Sequence, residues 1–192
     1  MRIPIANWIG IAWLGFFILW IAAAFTNKRT VQRQSTGSHL LQAAIMALGI
    51  ALIFNFGDWM TSGWPAVRVI PASNSAAITG VALTAIGFLF AFWARAILGR
   101  NWSGTVTIKE NHTLVRRGPY RFVRHPIYTG LLCAFLGSVI LYGYVRCFVG
   151  LLLVALSLWL KSQIEEQFMV QQFGQQYVEY RHEVRALVPF VL

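Results

Sequence analysis

Apolar residues fall along this chain in five long runs separated by polar segments, a pattern unlike the amphipathic periodicities of a water-exposed fold. The runs are Trp8 to Phe25, Leu40 to Trp59, Ala76 to Leu98, Tyr128 to Leu141 and Cys147 to Leu160. A bilayer core about 30 Å thick takes about 20 apolar residues in helical form, and the first three runs are close to that length. The last two have 14 residues each and need flanking residues or a thinned bilayer to cross. Only Tyr142 to Arg146 separates them, which predicts a tight helical hairpin. The expected fold is therefore an all-α integral membrane protein with five transmembrane helices, the last two forming a hairpin.

Start and stop signals agree with these runs. Ser38 is a candidate N-cap for the second span, and Ser73, Asn74 or Ser75 for the third, which Gly99 ends. Arg95, in the last turn of span three, is expected to snorkel to the interface and to favour the negative helix end. Trp8 and Trp20 are candidate interface anchors. Beyond Leu160 no breaker precedes Gly174, so the fifth helix is expected to leave the membrane through Lys161, Glu165 and Glu166. A short helix then carries Tyr177 and Tyr180 on one face. Thr105 to Ile108 alternates and is expected to pair as a strand or to run extended.

Composition supports the membrane assignment. Of 192 residues, 57% are hydrophobic and 11% charged, against about a quarter charged in soluble domains. Trp8 to Phe25 is read as a retained span rather than a cleaved signal peptide, because four further runs follow. The net charge of +10 does not point to nucleic acid, since the basic residues are dispersed around apolar spans without a nucleic-acid motif. It orients the protein instead. With the N-terminus outside, only Arg2, Arg68 and Arg146 of the 16 Lys and Arg residues face outward and the other 13 lie inside. By the positive-inside rule the long loop Gly99 to Ile127 and the C-terminal tail are both cytoplasmic.

No glycine-rich nucleotide fingerprint follows a strand. His39, His112, His125 and His182 lack metal-ligand spacing, and no metal is expected. Cys133 and Cys147 read as small core residues. The concentrated chemistry lies in Gly118-Pro119-Tyr120-Arg121-Phe122-Val123-Arg124-His125-Pro126-Ile127-Tyr128-Thr129-Gly130, followed by Glu165-Glu166, by Phe173-Gly174-Gln175-Gln176-Tyr177-Val178-Glu179-Tyr180 and by Leu187-Val188-Pro189. Arg116 and Arg117, just upstream, read as interface anchors.

This constellation resembles the isoprenylcysteine carboxyl methyltransferase family and its relatives, which include phospholipid methyltransferases. Their pattern is RHPxY, an apolar stretch, then a Glu-Glu pair, and the likeness runs from about Asn101 to the C-terminus. It implies an S-adenosylmethionine-dependent membrane methyltransferase acting on a lipophilic small-molecule or prenylated acceptor that enters from the bilayer. Residues 1–98 would form a three-span scaffold and residues 99–192 the catalytic region. The resemblance gives Arg124, Glu166 and Tyr128 as catalytic residues, and Tyr120, Arg124, His125, Pro126, Tyr128, Glu165, Glu166, Tyr177 and Tyr180 as cofactor-binding. The chemistry is suitable: Arg124 can fork a carboxylate, His125 can donate, and one glutamate, expected to be Glu166, can accept from the ammonium or ribose. Any of the four tyrosines can set a ring face near the sulfonium. Other readings are a sterol-reductase-like oxidoreductase using NADPH, a phospholipid N-methyltransferase, or a non-catalytic lipid-binding protein. The expected location is the inner or plasma membrane if the host is prokaryotic. The sequence leaves the oligomeric state open.

Overall fold

The structure is a computed structural model describing residues 5–24, 30–33, 36–56, 59–99, 102, 107–109 and 114–187. Expectations placed on Lys28-Arg29, Asp58, Arg100-Asn101, Ser103 to Val106, His112 and Val188-Pro189 lie outside the described residues. The chain runs through α1 (Ile5–Ala24), β1 (Thr30–Arg33), α2 (Thr36–Phe54), α3 (Asn74–Leu98), β2 (Thr107–Lys109), α4 (Pro126–Tyr142), α5 (Val145–Phe173) and α6 (Gln175–Glu183). Single 3-10 turns at Trp64–Ala66 and Gly118–Arg121 interrupt the connections. It is an integral membrane architecture: among the described residues three helices, Gly37–Phe54, Asn74–Leu98 and Val145–Phe173, are long and apolar enough to cross a membrane. Large apolar side chains such as Ile78, Leu89 and Leu152 stand 69–70% exposed along them, as lipid-facing residues do.

Helix α3 begins as expected. The Ser73 hydroxyl accepts from Ala76 N at 3.2 Å, and Gly99 closes the helix at φ 55°. Helix α2 departs from expectation at both ends. It starts at Thr36, so Ser38 is inside the first turn, and it stops at Phe54, where Asn55 takes a left-handed φ of 46° and its side chain accepts from Met60 N. The described half of the alternating stretch, Thr107-Ile108, pairs: with Lys109 it runs antiparallel to Thr30–Arg33.

Helices α4 and α5 are joined through Gly143 in the left-handed conformation (φ 72°), yet each makes its closest packing with a different partner. α4 lies antiparallel to α3 across a seam of small residues. A Cβ added to Gly130 would stand 2.7 Å from Gly87 O and 2.8 Å from Ala91 N. The Thr84 hydroxyl bridges Gly80 O and Ala134 O within this seam. α5 makes the equivalent approach to α2, where a Cβ on Gly150 would lie 2.6 Å from Gly49 O and Ser157 donates to Gln42 O at 3.0 Å. Without a hydrophobic drive between helices in lipid, backbone proximity of this kind supplies the packing. α1 is held differently, by rings. Trp13 stacks on Phe135 at 4.2 Å, Phe16 stacks on Phe88 at 4.5 Å, and the Trp13 indole donates to the Ser138 hydroxyl.

The antiparallel seams bring the C-terminal ends of α1, α3 and α5 and the N-terminal ends of α2 and α4 to one end of the bundle. Arg68, Tyr144 and Arg146 mark the other. There Arg146 donates to Leu52 O and Ile53 O, closing the carbonyl end of α2.

Candidate active site

Pro126 opens α4 at its first position, where a missing N–H costs nothing, and His125 just precedes it. The segment before the helix is fixed by the chain's C-terminal stretch. Val123 bridges Arg185 in parallel, Arg124 N donates to Arg185 O and His125 N to Ala186 O, and the Thr129 hydroxyl donates to Leu187 O at 2.6 Å. Helix α5 continues past its apolar run for three turns and brings Glu165 and Glu166 alongside.

His125 lies between the two carboxylates, with Nδ1 3.4 Å from Glu165 Oε2 and Nε2 3.2 Å from Glu166 Oε1. Glu166 is the more deeply held. Its Oε1 accepts from Arg124 Nε at 2.8 Å and Nη2 at 2.7 Å, and its Oε2 faces Arg181 Nε at 3.1 Å. The remaining Arg124 donor binds Arg181 O and Val184 O at the end of α6. Glu165, with 22% of its side chain exposed, accepts from the Tyr128 hydroxyl at 2.5 Å. The Tyr128 ring lies parallel to the His125 ring, 5.4 Å away.

These contacts set the protonation of the cluster. Burial disfavours the charged imidazole, but its hydrogen bonds to both glutamates and their negative charges outweigh this and raise the His125 pKa. Burial likewise works against ionised Glu165 and Glu166, and the hydrogen bonds from His125, with Arg124 or Lys161 nearby, hold both below the ordinary carboxylate value. Tyr120, Tyr177 and Tyr180 are pushed upward, chiefly by burial and also by the glutamate charges, so all three remain neutral phenols.

The sequence-selected residues converge, with three differences in role. The Arg124 fork, expected to meet a ligand carboxylate, is filled by Glu166. The glutamates do not divide into one facing the site and one facing away, because the His125 ring is long enough to reach both. Glu165 is the more accessible of the two. Two of the four tyrosines already carry cations on their faces: Lys161 Nζ is 5.6 Å from the Tyr128 centroid and the Arg116 guanidinium 5.2 Å from that of Tyr180. The Tyr180 hydroxyl donates to Tyr120 O at 2.5 Å, fastening α6 to the Gly118–Arg121 turn. Tyr177 is buried beside it, ring to ring at 5.9 Å.

Arg116 is not an interface anchor. It binds Gln176 O and folds over Tyr180, part of the clamp on α6. Arg181, absent from the sequence selection, completes the coordination of Glu166 with 47% of its side chain exposed. Its position one residue after Tyr180, on a helix already assigned to the site, was the available signal.

The donor set suits S-adenosylmethionine. An accessible carboxylate, a half-exposed guanidinium and buried aromatic rings match an ammonium, a carboxylate and an adenosyl group.

Comparison with known proteins identifies relatives of this chain. The family model described as phospholipid methyltransferase matches residues 75–176. Similar curated proteins include the protein-S-isoprenylcysteine O-methyltransferase of Schizosaccharomyces pombe, 37% identical over 48% of this chain. The B enzyme of that name from Arabidopsis thaliana is 32% identical over 58%, and the human one 26% identical over 90%. The chain spans only 41%, 58% and 60% of their respective lengths. Among solved structures, a eukaryotic intramembrane Ras methyltransferase, isoprenylcysteine carboxyl methyltransferase, superposes with a TM-score of 0.60 at 20% identity, covering all of this chain and 70% of that one. The fold is thus shared with that enzyme, and, with the family model matched over more than half of its residues, this chain belongs to the phospholipid methyltransferase family.

Proposed function

We propose that this protein is an S-adenosylmethionine-dependent membrane methyltransferase that esterifies the carboxylate of a lipophilic acceptor, as its isoprenylcysteine-directed relatives are named for doing. The observation that supports this best is the paired, buried cluster of Arg124, His125, Glu165 and Glu166 at the end of the bundle, joined by α6. Arg124, Glu166 and Tyr128 form its working core. Arg124 and Glu166 fix each other, orient His125 and hold Arg181 at the opening. Tyr128 fixes Glu165, whose exposed edge is suited to an ammonium or a ribose. Tyr120, Pro126, Tyr177 and Tyr180 wall the cofactor site and exclude water. Held by Glu165 and Arg181 against the tyrosine rings, S-adenosylmethionine would supply an electrophilic methyl group and keep the electron pair on sulfur, so that a carboxylate acceptor would become a neutral ester without releasing a proton. A carboxylate is already ionised at neutral pH, so the protein's contribution is alignment, worth about 7 to 11 kcal/mol in favourable cases.

In the bilayer α1 to α5 each cross once, with the N-terminus outside and the cluster cytoplasmic. Helices α1 to α3 act as scaffold and residues 99–192 carry the chemistry. α4, at 17 residues, is about 26 Å long by its rise, shorter than the bilayer core of about 30 Å, so the head of this helix and its histidine sit at or just inside the hydrocarbon boundary. An acceptor with a hydrocarbon tail then reaches the site laterally.

The family description also supports a reading as a phospholipid N-methyltransferase. An amine must shed a proton, which Glu165 would take. Incubating the reconstituted protein with methyl-labelled S-adenosylmethionine and lipid extract separates the readings: base-labile volatile label marks a methyl ester, and stable label in a phospholipid band marks N-methylation. No thermal shift with S-adenosylhomocysteine, or a shift with NADPH in its place, would refute both. A reporter fused after Leu192 is expected on the cytoplasmic side.

A further inference from the structure

Resting on the methyltransferase reading, we infer that Arg95, set in the corner formed by Trp20 and Trp102, is the receptor for the acceptor's carboxylate and makes the enzyme selective for anionic amphiphiles. Arg95 does not snorkel. It is only 7% exposed, its guanidinium lies 3.6 Å from the Trp102 ring centroid and 4.8 Å from that of Trp20, and the indoles meet edge to face at 5.5 Å. The Trp102 ring lies close to the cation and the perpendicular Trp20 ring flanks it at greater distance, so the aromatic corner replaces water around part of the guanidinium. The edge is not satisfied in the same way: among the described residues buried Nη1 finds no hydrogen-bond partner. Among the described residues no carboxylate forms an ion pair with Arg95. Buried charged donors left open are costly and uncommon, and in a low-dielectric site such a donor attracts an anion strongly.

The placement fits an acceptor. Arg95 is in the last turn of α3, at the same end of the bundle as the His125 cluster, and Tyr120 stands within electrostatic range of both Arg95 and Glu165. Beside it lies the aromatic seam between α1 and α3, where Trp20 meets Phe16 and Phe92, an apolar lining suited to a hydrocarbon tail. One guanidinium edge matches a monoanion. It can bind one carboxylate oxygen and leave the other to take the methyl group.

A phospholipid phosphate shares this chemistry and is the competing occupant. The test uses protein in nanodiscs and measures equilibrium binding of an S-prenylated N-acetylcysteine and of its neutral carboxamide, with S-adenosylhomocysteine affinity followed by calorimetry. Native protein is expected to prefer the acid by at least about tenfold, the weight of one charge-assisted hydrogen bond. Arg95→Gln should abolish that preference by weakening the acid alone, with S-adenosylhomocysteine affinity unchanged within about twofold, and Arg95→Lys should keep part of it. Trp102→Leu, which leaves the charge but removes one stacking face, should also lower acid affinity more than amide affinity. An acid preference unaltered in Arg95→Gln or Trp102→Leu overturns the assignment, as does native protein that binds S-adenosylhomocysteine but not the acid in preference to the amide. Acid affinity that falls when phosphatidylglycerol replaces phosphatidylcholine, with co-purified phospholipid lost in Arg95→Gln, gives the site to lipid phosphate and also overturns it. Failure of native protein to bind S-adenosylhomocysteine counts against the methyltransferase reading itself.

Discussion

Removing the Glu166 carboxylate should cost more than removing any other side chain of the cluster. Glu166 accepts from Arg124 Nε and Nη2, from His125 and from Arg181. Arg181 is 47% exposed and recovers water, so its share of the loss is small. The Arg124 side chain, 10% exposed, is left without a carboxylate partner among the described residues, whereas His125, 8% exposed, still faces Glu165. Breaking a buried pair from one side costs about 3–5 kcal/mol, the expected destabilisation of Glu166→Leu. Replacing both partners together, Arg124→Met with Glu166→Leu, removes the stranded charge and leaves mainly the Arg181 and Val184 carbonyls without a donor, about 1–3 kcal/mol. The double variant should therefore fall short of the sum of the singles by about 2 kcal/mol or more. Reversible unfolding in mixed micelles with rising denaturing detergent reads all four corners of the cycle. Coupling below about 0.5 kcal/mol, the scatter of independent sites, would refute the view of this pair as one buried unit.

The pH dependence follows from opposite shifts. The raised His125 contributes stability that is complete below about 6.5 and is lost as pH rises through its folded value. The lowered Glu165 and Glu166 contribute above the ordinary carboxylate range and lose it as pH falls through theirs. Unfolding measured across pH 6 to 9 should show an alkaline decline that His125→Asn removes, and a decline identical in both proteins would sink the assignment. Gly130→Ala places a methyl group 2.7 Å from Gly87 O and should cost about 1–3 kcal/mol of overpacking, or force α3 and α4 apart, read by detergent unfolding and by slowed disulfide formation between cysteines engineered across that seam. Tyr180→Phe deletes the donor to Tyr120 O and should cost about 1 kcal/mol while raising protease sensitivity after Gly174, because α6 loses its tie to the Gly118–Arg121 turn.

The apolar helices were legible because lipid imposes one simple pattern, and the breakers Gly99, Gly143 and Gly174 end elements where composition places them. Partnership was not. Tyr142 to Arg146 suggests a hairpin by its shortness, yet the deep contacts of α4 and α5 are made with α3 and α2, where glycines happen to align across helices far apart in sequence. Local spacing cannot announce such a register. The same limit governs the site. RHPxY and Glu-Glu identified the participants, but whether Arg124 meets a ligand or Glu166 depends on a rotation of α5 that no periodicity encodes. Arg95 and Arg116 were misjudged for a related reason: a basic residue beside an apolar run reads as an anchor until tertiary structure supplies a ring for it to cover.

That exchange of roles bears on how the site works. If Arg124 and Glu166 satisfy each other, neither has charge to spare for a ligand, and discrimination passes to less committed groups: Glu165, Arg181 and, on the membrane side, Arg95. The His125 ring links the first of these to the buried pair, so the interior of the cluster stays neutralised whether or not a ligand is present. In the proposed reaction, charges that remain paired would need no rearrangement as sulfonium and carboxylate are neutralised together. A pre-organised, water-poor surround of this kind is the electrostatic condition under which alignment lowers a barrier. The two glycine-lined seams supply its rigidity, since α3 and α5 cannot slide against α4 and α2 without forcing backbone through backbone.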